Sequence, residues 1–286
     1  MSPGAWPAAD ASTALAADRT SAGISVSRLV TRITGLRRQR ERWCNPAVRI
    51  ISDTVGGIPG VLWMPAGGSG PGPLVLTGHG GGRYRKEPGV LSRAFPYVTS
   101  CGFAVALIDA PGGGGRPGHP QIRRLVAEMT GREAAGEPAG PAWPALCEVM
   151  VTGIVRAWQA ALGALRKLEC AGGSQPAGYC GLSRGGGAGM RVVAAGPRIM
   201  AAVPGLGESD VLVSSAPRIA IPVGFVMRWD GAGRPRDCVL TLSGAPGSAG
   251  KTLRASPGSH LEVADFEIGS PIRFFARDLG SRGAAI

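Results

Sequence analysis

Hydrophobic positions fall into short unbroken runs separated by glycine- and proline-rich breaks, a pattern that predicts buried strands alternating with helices. Val48 to Ser52 and Val61 to Met64 alternate in the manner of strands, and Gly56-Gly57-Ile58-Pro59-Gly60 between them signals a hairpin. Leu74-Val75-Leu76-Thr77 and the stretch Gly102 to Asp109 are continuously apolar, as expected of parallel strands buried on both faces. A helical period runs from Glu87 to Ser100, interrupted by Pro96, and a shorter one from Gln121 to Met129. The clearest helix spans Cys147 to Cys170, with Val151, Ile154, Val155, Trp158, Leu162, Leu165 and Leu168 on one side. Further strands are predicted at Ile199 to Val203, Ile219 to Trp229 and Thr252 to Ala255, and a closing helix at Leu261 to Leu279. Alternation of this kind calls for a mostly parallel sheet covered on both faces.

Outside this succession, residues 1–23 are rich in Ala, Ser and Pro and read as a disordered leader. Ile24 to Trp43 carries apolar residues at helical spacing, with Arg37, Arg38, Arg40 and Arg42 turned outward. Residues 24–286 are expected to form one α/β domain. Within it, the Gly/Pro-rich segment 113–144 is a candidate cap or flexible insertion.

The net charge of +12 raises the question of a polyanionic partner. Lysine, however, occurs only at Lys86, Lys167 and Lys251, and the arginine excess accompanies an Ala-, Gly- and Pro-rich composition typical of a GC-rich coding sequence. The arginine cluster therefore reads as a solvated helix face, and no nucleic-acid partner is expected. The six cysteines form no Cys-x-x-Cys pair, and no histidine stands at metal-ligand spacing, so buried reduced thiols are the default. The first residues lack a charged region followed by a long apolar core, and no apolar run is long enough for a bilayer. These features together lead to the expectation of a cytoplasmic protein without a membrane anchor or metal; a homodimer is compatible with them.

Candidate chemistry centres on Gly181-Leu182-Ser183-Arg184-Gly185, which follows an apolar run and precedes a helix-like segment. In a strand-turn-helix setting Gly-x-Ser-x-Gly forms a nucleophile elbow, whose turn is too tight for side chains beside the serine. Such a turn exposes Ser183 Oγ and aims the Arg184 N–H, at a helix N-terminus, toward an oxyanion. Gly78-His79-Gly80-Gly81-Gly82 follows a predicted strand directly, so the N–H groups at Gly80 and Gly81 are candidates for the other half of an oxyanion hole. In that setting His79 orients the loop and does not itself transfer protons. Activating a serine hydroxyl at neutral pH requires a base. His260 is the one histidine downstream of Ser183.

On these motifs, together with Ala106-Leu107-Ile108-Asp109-Ala110-Pro111-Gly112 and Pro257-Gly258-Ser259-His260, the chain from about Val48 onward resembles the α/β-hydrolase superfamily. Within it, the likeness is to dienelactone-hydrolase-like esterases. The resemblance implies an eight-stranded α/β-hydrolase fold, a Ser-His-acid triad, no cofactor and a small ester or related acyl substrate. It also implies an acid four residues before Pro235, where this chain has Gly231. Asp230 is the favoured substitute; Asp237 is a second, and Asp210 would serve if the acid followed the preceding strand. Gly112 to Gly115 likewise lack the His and Asp that such proteins carry there, so the loop-pinning those side chains provide is expected to be missing. A non-catalytic relative used for binding is the alternative reading.

Overall fold

The computed structural model describes residues 47–67, 72–79, 88–138, 140–168, 175–205, 213–229, 236–257 and 265–280. The leader, the expected helix at residues 24–43 and its arginine cluster lie outside the described residues.

Eight strands form one sheet: β1 (Val48–Val55), β2 (Ile58–Pro65), β3 (Leu74–Gly78), β4 (Ala104–Ile108), β5 (Ala177–Leu182), β6 (Ile199–Gly205), β7 (Val223–Arg228) and β8 (Lys251–Ser256). Their spatial order is β1-β2-β4-β3-β5-β6-β7-β8. β2 is antiparallel to both β1 and β4, while β3 through β8 are parallel. The β1–β2 hairpin closes more tightly than its sequence suggested. Gly56 and Gly57, at φ 63° and 76°, form a two-residue turn, and both strands extend to meet it.

Side-chain alternation along the strands feeds two cores. Leu74 and Leu76 of β3, Ala104, Ala106 and Ile108 of β4, and Tyr179 of β5 face one side. There they meet helices α2 (Pro120–Ala134), α3 (Ala142–Leu165), α4 (Arg184–Ala195) and α5 (Arg236–Gly244). Val75, Val105, Leu107 and Cys180 face the other side, against α1 (Pro88–Cys101), α6 (Asp265–Phe275) and a π-helical turn at Ala276–Gly280. A 3-10 turn at Ala216–Arg218 leads toward β7.

Several boundaries differ from the sequence reading. α3 begins at Ala142 and ends at Leu165, so Leu168 falls beyond it and is exposed. α5 was not anticipated: it is short, and its inward signal is confined to Val239 and Leu242. Nearly half of residues 113–144 is taken up by α2, whose Leu125 reaches the core while Ile122, Val126 and Met129 pack at its edge. The expectation that no segment is long enough for a bilayer also needs correction, because α3, at 24 residues, passes that test by length and composition. Its apolarity comes from a helical stripe of Leu146, Met150, Ile154, Ala157, Trp158, Ala161 and Leu165 buried against the sheet. Glu148 and Arg156 lie off that stripe, and Glu148 is ion-paired with Arg191 of α4.

Leu125 is the one residue by which α2 enters the core. Leu125→Ala should therefore lower stability by about 2–4 kcal/mol, read as a reduced urea midpoint, and should make the 113–141 region the first site cut in limited proteolysis.

Candidate active site

The C-terminal ends of β3, β5, β7 and β8 lie along one rim of the sheet, because these strands are parallel and nearly in register. Gly78 pairs with Gly181, Leu182 with Gly205, and Arg228 with Ser256. Open α/β sheets place their sites at this rim.

Ser183 stands where β5 passes into α4. Its φ of 57° and ψ of −127° make it the only non-glycine with positive φ among the described residues. A conformation of this kind costs on the order of 1–3 kcal/mol and persists only where the surroundings dictate it. Here they do: the Ser183 N–H donates to Gly205 O at 2.8 Å, and Gly187 N–H donates to Ser183 O at 2.9 Å, starting the helix. The glycines on either side are required by clearance. A Cβ on Gly186 would strike the Gly205 backbone, one on Gly181 would strike Gly185 O, and one on Gly185 would lie 2.5 Å from the Gly78 carbonyl carbon. With these approaches open, the N-terminus of α4 sits directly against the end of β3. Arg184 is the first residue of α4, whose first-turn amides have no acceptor within the helix and point with the positive end of its dipole.

His79 is buried, and its Nε2 accepts the Ala110 N–H at 3.1 Å. An imidazole nitrogen that accepts a backbone N–H carries no proton, so this histidine ties the end of β3 to the end of β4; the glycine loop it was expected to orient lies outside the described residues. Asp109, fully buried at the end of β4, has a role the sequence reading missed. Its carboxylate accepts the Gly115 N–H at 2.8 Å, and a Cβ on Gly114 would collide with that carboxylate. Arg116 returns from the same loop to donate to Asp109 O at 3.4 Å. Burial lowers the Arg116 pKa, and Asp109 acts in the opposite direction. The loop that lacks polar side chains is thus pinned from below. The available signal was an acidic residue ending a buried strand just ahead of four glycines.

Gly80, Gly81, His260, Asp230 and Asp210 lie outside the described residues. Asp237 is exposed in the first turn of α5. Cys180, three residues before the serine, is no rival nucleophile. It is buried on the opposite face, receives the Tyr97 O–H at 3.4 Å, and burial raises its pKa, keeping it a neutral thiol. Among the described residues, no group of three His, Cys, Asp or Glu side chains could hold a metal ion.

This strand order, with a serine forced into positive φ at the β5–α4 turn, is the arrangement of an α/β hydrolase. No protein-family profile and no curated protein matches the chain. Among solved structures, a PEG-bound cold-adapted esterase from an Arctic intertidal metagenomic library is 30% identical, with a TM-score of 0.65 over 82% of this chain and 96% of the other. Est1E from Butyrivibrio proteoclasticus, solved with ferulic acid, is 16% identical with a TM-score of 0.59, over 82% and 100% of the two chains. A dienelactone hydrolase from Anabaena variabilis is 20% identical with a TM-score of 0.55, over 81% and 98%. The chain belongs to the α/β-hydrolase superfamily.

Two outcomes follow from the geometry. Asp109→Ala should cost about 1–3 kcal/mol by leaving the Gly115 N–H without its acceptor, and Asp109→Asn, which keeps one carbonyl oxygen, should recover part of that in thermal melts. Iodoacetamide should leave Cys180 unmodified in the folded protein at pH 8 and alkylate it in denaturant, as read by peptide mass spectrometry.

Proposed function

We propose that this α/β hydrolase is a serine esterase acting on small carboxylic esters or related acyl compounds. Ser183 Oγ attacks the acyl carbon while His260 accepts its proton. The tetrahedral intermediate then collapses, and His260 returns that proton to the departing alkoxide. Water, deprotonated by the same histidine, releases the acid and restores the serine. Asp230 orients His260 and stabilises its imidazolium form. The Arg184 N–H and those of the Gly80–Gly81 loop bind the oxyanion.

The observation that carries this reading is the strained backbone of Ser183 at the N-terminus of α4. Identity of 30% with a chain described as an esterase supports the same chemistry. Chain reach supports the partners. β8 lies three strands from β5, about 14 Å at the usual interstrand spacing. The four residues from Ser256 to His260 span up to about 13–14 Å when extended, and the imidazole adds to that. Asp230 follows Trp229 directly at the end of β7, between the serine and histidine strands. The three free cysteines among the described residues, Cys101, Cys147 and Cys180, accord with a cytoplasmic location.

A second reading, a binding module without turnover, draws on Gly231 occupying the usual acid position. Hydrolysis of p-nitrophenyl acetate and labelling by a fluorophosphonate separate the two. For an esterase, Ser183→Ala should abolish labelling and lower kcat by about 10⁴-fold or more. Asp230→Asn should lower kcat by a comparable factor. The kcat/KM of the wild type should fall toward acid pH, where a protonated base no longer accepts the serine proton. Ligand binding with neither turnover nor labelling in the wild type would favour the binding module.

A further inference from the structure

Tyr179 lies four residues before the serine, fully buried, at a point where four structural elements converge. Its hydroxyl donates to Gly185 O at 2.8 Å, in the first turn of α4. Its ring occupies a slot made by three glycines. A Cβ on Gly78, at the end of β3, would collide with the hydroxyl oxygen; one on Gly189, in α4, would collide with the ring; and one on Gly181 would lie 2.8 Å from Cε1. From α3, Trp158 meets the ring edge-on, with centroids 6.3 Å apart and planes at 83°. Burial pushes the phenol pKa well above its ordinary value, so the hydroxyl remains a donor at every working pH.

We propose that Tyr179 is a positioning residue that sets the height of the Ser183 turn and of the first turn of α4 against the end of β3 at Gly78. The inference rests on the serine-esterase reading and deepens it. One rigid side chain touches both sides of that junction: Gly185 is the residue after Arg184, and Gly78 is the last residue of β3. Its hydrogen bond draws the first turn of α4 down toward the sheet, while its ring keeps Gly78 and Gly189 apart. Removing the hydroxyl leaves the aromatic packing in place. Gly185 O is part of a helix and keeps its intrahelical role, so Tyr179→Phe is expected to fold with little change in melting temperature.

The test compares the full-length wild type with Tyr179→Phe in three measurements: thermal melting, residue-resolved amide hydrogen exchange, and p-nitrophenyl acetate kinetics. The expected result is exchange at Ser183 and Gly187 at least about ten-fold faster in the variant with the melting temperature unchanged. In kinetics, kcat should fall about 10- to 100-fold with KM held within about two-fold, since a small misplacement of reacting groups acts on the transition state. Unchanged exchange and unchanged kcat in an active protein would overturn the positioning role and leave the esterase reading standing. Uniformly faster exchange with a lower melting temperature would also overturn it, by reducing Tyr179 to a general core residue. Selectively faster exchange in a protein whose wild type neither hydrolyses nor labels would uphold the strut and sink the esterase reading.

Discussion

The backbone of Ser183 is held in a conformation that an L-residue avoids, and the rest of the rim is arranged around keeping it there. Two hydrogen bonds define the turn: one to Gly205 of β6 and one from Gly187 of α4. They would be too few if the strands and helix could not approach closely. That approach depends on the absence of side chains at Gly181, Gly185 and Gly186, where any Cβ would overlap the backbone of Gly185, Gly78 or Gly205. The same closeness brings the amides at the start of α4 against the end of β3. The strain at the serine and the clustering of N–H donors therefore have one origin, the packing of three backbones without side chains between them.

A second constraint operates at the neighbouring strand end. Loops at a sheet rim carry polar backbone groups that must be paired or hydrated. Around β4 the pairing comes from within: His79 accepts from Ala110, Asp109 accepts from Gly115, and Arg116 donates back to Asp109 O. Two buried side chains, with Arg116 from the far end of the loop, thus organise the glycine run at 112–115. Below this loop, Leu125 seats α2 in the core beside α3. The wall on this side of the rim is consequently tied to the sheet at several points.

Features set by local chemistry were legible in the sequence, and those set by tertiary accommodation were not. The strands β3, β4 and β5 are uninterrupted apolar runs, and the Gly-x-Ser-x-Gly turn announces itself by spacing. The anchoring by Asp109 was missed because it depends on a contact six residues away, with the Gly115 amide, which no periodicity encodes. α5 escaped notice because two turns bearing Val239 and Leu242 give too short a period, whereas the edge strand β8 was anticipated at Thr252 to Ala255 although it is exposed over most of its length. α3 was anticipated as a helix, but its length and composition were underrated: an apolar stripe that packs on the sheet also has the composition of a membrane span.

Gly231, where the resembled pattern carries an acid, is the remaining departure of this chain from it, and the described residues on either side bear on the proposal that Asp230 takes that role. At the end of β7, Trp229 N–H donates to Ser256 O at 2.8 Å, and Arg228 donates to Pro257 O at 3.2 Å, fixing the exit of β7 to the exit of β8. On the far side of residues 230–235, the Arg236 guanidinium stacks over the Trp229 ring at 4.0 Å and donates to Trp229 O at 3.3 Å. Both ends of that six-residue connection are therefore held by the same tryptophan. On the proposal that Asp230 serves as the acid, moving it from 231 to 230 requires no slip of β7 or α5, whose ends are tied at Trp229. Closing a loop of this length depends only weakly on adding or moving one residue, and the glycines at 231 and 233 widen the backbone conformations available for doing so. The register of β7 with β8 and the start of α5 are thus compatible with an acid at either position.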